Sequence, residues 1–296
     1  MIPAELDYHA PTSLGEALGL LAELGDEAKI LAGGQSLIPA MRFRLAMPAH
    51  LIDINRIEGL AYLREEGGHL AIGALTRESA LEESALVQDR YPLLADTARV
   101  IADPLVRNLA TVGGNIAHAD PANDHPATLL AYGAEVVAQG PVGQRTIDID
   151  DFFVGLFENA LAENELLVEI RVPSPEPGEG GAYVKFERKV GDYAIGAVAA
   201  RLHLDGDIVR SVRLGLTNVS PVPMRARQAE QELSGKPVSE EVLEAAGKAA
   251  AAECDPSADL RGGEDYKRDV IRALVKRAVR RAAARARGER IEGGHA

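Results

Sequence analysis

The amino-acid sequence predicts a mixed α+β protein built as two domains, and three observations carry that prediction. Up to residue 172, apolar runs of strand length alternate with stretches whose apolar residues recur every three or four positions. A proline- and glycine-rich break, Pro173 to Gly181, then interrupts the chain. Beyond it come three long strand-like segments followed by helical ones. A chain of 296 residues is ample for a packed core and divides into two domains more readily than it folds as one.

Ser13-Leu14-Gly15-Glu16 has the form of a capping box, and Leu14, Ala17, Leu18, Leu21 and Leu24 give a helix face that ends at Gly25. Lys29 to Ala32 reads as a short strand leading into Gly33-Gly34. A helix follows over Gln35 to Arg44, with Pro39 in its first turn, where a missing N–H does least harm. His50 to Ile54 and Leu70 to Ile72 are further strands, the latter after a Gly67-Gly68 turn, and Thr76 is placed to cap a helix from Arg77.

Pro92 to Ala102 reads as a helix closed by Asp103-Pro104, and Asp124 to Tyr132 as another after a polar, turn-forming stretch. Glu135 to Ala138, Gln144 to Ile149 and Glu165 to Val172 complete the strands of the first domain. In the second, Ala182 to Lys189, Ala194 to Leu204 and Val209 to Asn218 suit an antiparallel sheet, with Asp205-Gly206 turning between the last two. Helices from about Arg225, Ser239 and Glu264 close the chain.

The net charge of −13 argues against a nucleic-acid or anionic-membrane surface. The exception is Lys267 to Arg290, where ten Lys/Arg face two Asp/Glu, a balance of +8 that leaves −21 elsewhere. Val270, Ile271, Leu274, Val275, Ala278, Val279 and Ala282 give this segment one apolar stripe, so its basic face is read as docked on an acidic body. A single cysteine, Cys254, permits no disulfide within the chain and no cysteine-ligated iron–sulfur cluster. Met1 to Pro11 lacks a basic start with an apolar run, and no apolar stretch is long enough for a membrane span, which reads as a cytoplasmic protein.

Two segments carry the chemistry. Ala32-Gly33-Gly34-Gln35-Ser36 and Thr111-Val112-Gly113-Gly114-Asn115 each end an apolar run with paired glycines and a short polar side chain. Glycine reaches positive φ at little cost and lets backbone N–H groups crowd around an anion, so the pair reads as two nests for one diphosphate. Ser36 and Asn115 are placed to add side-chain hydrogen bonds. The Rossmann fingerprint is absent, since the one Gly-x-Gly, Gly178/Gly180, lies in the proline-rich break, and there is no P-loop, His-Glu-x-x-His or Gly-x-Ser-x-Gly. His118 and His125 flank Asp120 and Asp124, a grouping read as turn-stabilising rather than metal-binding. Without a protein nucleophile, the pattern fits a cofactor that brings its own reactivity.

Ala32 to Pro39 with Met41-Arg42, then Ile52-Asp53-Ile54-Asn55, then Arg107 to Pro121 resembles the FAD-binding medium subunit of molybdenum hydroxylases, over essentially the whole chain. Lys189 to Ala194 with Gly196-Ala197-Val198 looks like that family's second-domain segment near the flavin and leans towards the aerobic carbon monoxide dehydrogenase branch.

The resemblance implies a vanillyl-alcohol-oxidase-type (PCMH-type) FAD-binding domain over 1–176, with two α/β subdomains at about 1–56 and 57–176. A C-terminal domain over 177–287 and a tail over 288–296 would follow. Ala32, Gly33, Gly34, Gln35, Ser36 and Leu37 would hold the FAD diphosphate with Thr111, Val112, Gly113, Gly114 and Asn115. Asp124 would bond the ribityl side, Leu167 would lie near the ring edge, and Lys185 and Tyr193 near the isoalloxazine. Gln35 stands where some relatives are expected to carry His. Lys185 would favour the anionic reduced flavin by about 1–4 kcal/mol of Coulomb attraction at close range, and so raise its potential.

No catalytic protein residue and no metal ligand is implied. The implied partners are an iron–sulfur small subunit and a molybdopterin large subunit, in a dimer of heterotrimers. The implied reaction is oxidation of carbon monoxide and water to carbon dioxide, with electrons leaving to an external acceptor such as a quinone. Peripheral membrane association would come only through that complex. Three alternatives stay open at the level of sequence. They are the flavin subunit of a molybdenum hydroxylase acting on xanthine, an N-heterocycle or an aromatic acyl thioester, a non-redox nucleotide-binding or assembly protein, and a free-standing flavin oxidase.

Overall fold

The computed structural model describes residues 2–291 and 293; the remaining positions of the expected tail 288–296 lie outside the described residues. The first layer is a small parallel sheet of β1 (Asp7–His9), β2 (Ala28–Leu31) and β3 (His50–Asp53), in the order β1-β3-β2. Helix α1 (Leu14–Leu24) buries Ala17, Leu18 and Leu21 in one core with Ile52 and Ile54. Its capping box forms with a shift: Ser13 Oγ accepts from Glu16 N–H at 3.2 Å, and the Glu16 carboxylate accepts from Thr12 N–H at 2.9 Å. Helix α2 (Leu37–Arg42) begins two residues later than expected.

The second layer is an antiparallel sheet of order β4-β5-β10-β6-β7, made of β4 (Leu63–Glu66), β5 (His69–Gly73), β6 (Glu135–Gly140), β7 (Gly143–Asp148) and β10 (Leu166–Pro173). Between β5 and β6 run α3 (Glu78–Glu83), α4 (Ala85–Arg90), α5 (Pro92–Val100), α6 (Pro104–Arg107), α7 (Val112–His118) and α8 (Asp124–Tyr132). Between β7 and β10 lie α9 (Ile149–Phe152) and a small hairpin of β8 (Phe153–Gly155) and β9 (Glu158–Asn159). Thr76 does not cap α3. Arg77 stands at that position, and the Thr76 hydroxyl instead donates to Tyr62 O at 2.9 Å, tying β5 to the chain before β4. The second glycine pair is no loop either, because Gly113 and Gly114 form the first turn of α7 behind the N-cap Thr111.

The third layer is an antiparallel sheet of β11 (Glu179–Glu187), β12 (Ala194–Asp205), β13 (Ile208–Thr217) and β14 (Met224–Arg225), in that order. Helices α10 (Arg227–Leu233), α11 (Glu240–Glu253) and α12 (Glu264–Ala286) cover it. Helix α12 presses so closely on β11 that a Cβ on Gly180 would lie 2.0 Å from Ala282 O. Its apolar stripe is buried from Ile271 to Ala282, with Val270 half-buried, and its basic face meets carboxylates: Arg272 and Lys276 on Glu244, Arg280 on Glu240, and Arg285 on Asp96 of α5. No helix among the described residues is long and apolar enough to cross a membrane.

Lys276 and Arg272 hold the Glu244 carboxyl down to about 2 from its ordinary 4.5. A carboxyl whose folded pKa is depressed adds stability that is full above the unfolded value and drains away as the pH falls through the folded one. The stability difference between the wild type and Glu244→Gln is therefore constant above pH 4.5 and shrinks between there and about 2. Thermal unfolding across that pH range measures it, and a difference independent of pH would contradict the pairing.

Candidate functional site

The site begins at the carboxyl end of the parallel sheet, where open α/β sheets place their ligands. Strand β2 delivers Ala32, and Gly34 turns the chain at φ +72°, a conformation that L side chains rarely adopt. Among the described residues, the backbone N–H groups of Gly33, Gly34, Gln35, Ser36 and Leu37 donate to no internal acceptor. Five adjacent donors at a half-buried turn suit an anion. Ser36 holds the N-cap position of α2, yet its hydroxyl caps nothing. The Gln35 side chain turns back into the turn, its Nε2 donating to Gly33 O at 3.2 Å.

The second motif behaves differently from the matched nest that its sequence grammar suggests. Val112 N–H donates to Thr76 O at 3.0 Å, Gly113 N–H to Ala74 O at 3.1 Å, Gly114 N–H to Thr111 Oγ1 at 3.1 Å and Asn115 N–H to Thr111 O at 2.9 Å. Those donors are spent on the helix and on the chain leaving β5. Gly113 is required there by packing, since its Cβ would lie 2.6 Å from Ala74 O. What the motif offers a ligand is a side chain: Asn115 Oδ1 is buried with no protein partner. A buried acceptor left this way costs free energy unless something donates to it.

The two motifs meet. A Cβ on Gly33 would lie 2.4 Å from Leu109 O and 2.9 Å from Thr111 N, and one on Gly114 would lie 3.7 Å from the Ala32 methyl. The two motifs therefore pack against each other, one with free backbone donors and the other with an orphaned side-chain acceptor.

Asp124, Lys185 and Tyr193 are also brought together, and Asp124 and Lys185 are each other's partners. Asp124, the first residue of α8, accepts from Tyr183 OH at 2.7 Å and from Lys185 Nζ at 2.9 Å. Lys185 is buried, donates to Val100 O at 3.0 Å and stands 3.5 Å from Glu187. The nearest charged partners of Lys185 are thus two carboxylates of this chain. Tyr193 is 45% exposed, and burial of its hydroxyl together with Asp120 and Asp124 pushes its pKa up. Leu167 lies buried in β10, next to Val168, whose carbonyl accepts from the Ala74 that backs Gly113.

No group of three or more His, Cys, Asp or Glu among the described residues is arranged for a metal. His125 Nε2 is 2.7 Å from Glu78 Oε2 with both side chains fully buried, while His118 packs on Phe157 and burial lowers its pKa. Asp120 accepts from Ala122 N–H at 2.9 Å, the turn-stabilising role expected of that stretch. Asn55 and Arg77, given no role from sequence, also stand at the junction of the two motifs; Asn55 at least belonged to the Ile52 to Asn55 signature.

Comparison with known proteins identifies the family. Residues 4–175 match the family described as the FAD binding domain in molybdopterin dehydrogenase, and residues 181–282 match the CO dehydrogenase flavoprotein C-terminal domain. The chain is 50% identical to the carbon monoxide dehydrogenase medium chain of Hydrogenophaga pseudoflava, covering 96% of this chain and 99% of that one. It is 42% identical to the counterpart from Afipia carboxidovorans, covering 97% and 100%. A solved carbon monoxide dehydrogenase from Hydrogenophaga pseudoflava, lacking the Mo-pyranopterin moiety, superposes with a TM-score of 0.94 at 51% identity, over 96% of this chain and 99% of that chain.

Two substitutions test the site in the ligand-free chain by denaturant unfolding. Gly33→Ala forces Leu109 away and lowers stability by about 1–3 kcal/mol; an unchanged midpoint would mean the motifs do not touch. Lys185→Met leaves Asp124 and Glu187 facing each other and costs about 3–5 kcal/mol. A loss below 1 kcal/mol would show that the ammonium is not buried between them.

Proposed function

The chain belongs to the FAD-binding subunits of molybdopterin dehydrogenases, and we propose that it is the flavin-carrying, electron-transferring medium subunit of an aerobic carbon monoxide dehydrogenase. The observation that carries the reading is the row of free N–H groups from Gly33 to Leu37, closed over by the second glycine motif. The carbon monoxide branch is favoured by likeness along nearly the full length of both chains to relatives of that name. When bound, FAD supplies the redox chemistry of the complex, exchanging electrons with an iron–sulfur partner and an external acceptor.

This chain's residues do the holding. The N–H groups of Gly33 to Leu37 and the Ser36 hydroxyl would grip the diphosphate, and Asn115 Oδ1 would accept from a ligand hydroxyl or a bridging water. Asp124, fixed by Tyr183 and Lys185, would present its outer edge to the ribityl side, with Leu167, Lys185 and Tyr193 lining the ring end. Cys254, the single cysteine, is buried, and one thiolate cannot supply the ligand set of an iron–sulfur cluster. Electrons must therefore arrive from a separate iron–sulfur chain, itself fed by a molybdopterin chain, in a dimer of heterotrimers. A quinone is the acceptor class we favour, and we read the complex as cytoplasmic, any membrane association being peripheral and through the complex. We draw the domain boundary at 176/177, inside the short connection between β10 and β11.

The purified chain is expected to be yellow or to take up FAD, and Ser36→Ala to weaken FAD binding about tenfold without changing ligand-free stability. Flavin fluorescence titration and thermal unfolding measure both. A chain that stays colourless after incubation with FAD would refute the reading. Purified at natural abundance, the chain should bring molybdenum and iron with it.

A further inference from the structure

The hydrogen bonds around Arg77 form a bridge between the two glycine motifs that the functional reading leaves unused. Residues 76–78 run antiparallel to residues 110–112: Val112 N–H donates to Thr76 O and Glu78 N–H to Ala110 O, both at 3.0 Å, with Arg77 opposite Thr111. From this backbone seat the Arg77 guanidinium donates to Leu109 O, the same carbonyl that Gly33 approaches, and to Asn55 Oδ1 at 2.8 Å. Asn55 Nδ2 then donates to Ala32 O at 2.7 Å, at the start of the first motif.

Asn55 is held in turn. Asp53 Oδ1 accepts from Asn55 N–H at 2.9 Å and from Asn55 Nδ2 at 2.6 Å, and Asp53 Oδ2 accepts from Tyr8 OH at 2.5 Å. A chain of side chains thus runs from β1 through the end of β3 to both motifs.

We propose that Arg77 is a positioning residue which, through Asn55, sets the separation of the two glycine motifs and so the fit of the site to a diphosphate. The proposal rests on the FAD reading above. Its physical basis is the planar guanidinium fork, whose fixed donor directions reach two acceptors at once; a lysine ammonium carries the charge without that geometry. No residue of Ala32 to Leu37 or Thr111 to Asn115 is cationic. Arg77 brings a positive charge to the junction of the motifs, and burial lowers its pKa as desolvation of a fixed cation should.

The test uses the full chain with FAD and ADP as probes, in the wild type, Arg77→Lys, Arg77→Gln, Asn55→Ala and Asn55→Ala/Arg77→Gln. Each single change is expected to weaken FAD and ADP about tenfold or more, by the same ratio for both ligands. Arg77→Lys should fail to rescue, and the double variant should bind no more weakly than Arg77→Gln alone, because both remove one bridge. Ligand-free thermal unfolding of Arg77→Lys should stay close to wild type, which separates positioning from general destabilisation. Wild-type affinity in Arg77→Lys, or losses that multiply in the double variant, would overturn the proposal while leaving the FAD reading intact. A wild-type chain that binds neither probe would overturn both.

Discussion

The approach of Gly33 to the Leu109 carbonyl is the constraint on which the rest of the site depends. Two segments separated by a long stretch of chain come close enough there that no Cβ fits between them. Everything near that contact is arranged to permit it: Gly34 takes a positive φ, Gly113 lets α7 settle on Ala74 O, and Asn55 and Arg77 absorb the carbonyls of Ala32 and Leu109. The result is asymmetric. One motif keeps its N–H groups free, and the other spends them on its own helix cap and on the chain leaving β5, so that it can serve as a rigid wall.

The C-terminal domain takes part in this construction. Strand β11 sends Tyr183 and Lys185 across to Asp124 at the start of α8, and a Cβ on Gly215 of β13 would lie 1.9 Å from Ala127 O. Arg285 of α12 reaches Asp96 on α5, and Arg213 donates to Leu130 O at 2.8 Å. These paired polar groups, buried or half-buried, fix the sheet against α5 and α8. Asp124 is thereby oriented from the far domain, which gives the buried lysine a structural role.

Much of this was legible in the sequence because the strongest local signals are also the structural ones. Paired glycines, the Ser13 cap, the Pro173 to Gly181 break and the stripe of α12 each report a local backbone or packing demand. Strand β4 escaped notice because Arg64, Glu65 and Glu66 are charged and exposed on an edge, where no apolar alternation is needed. Strand β1 is too short to show a period. The helical state of Gly113 and Gly114 was hidden because glycine disfavours helices in isolation, and here close packing on Ala74 overrides that preference. The Asp124–Lys185 pair and the Arg77 bridge were invisible for a different reason: they join residues far apart in sequence, and no spacing rule encodes such a meeting.

The most direct test of the account is a crystal structure of the chain with FAD bound. The diphosphate should lie against the N–H groups of Gly33 to Leu37, with Asn115 Oδ1 engaged by the ligand or by a water bound to it. A diphosphate anchored elsewhere, with those five donors facing solvent, would contradict it.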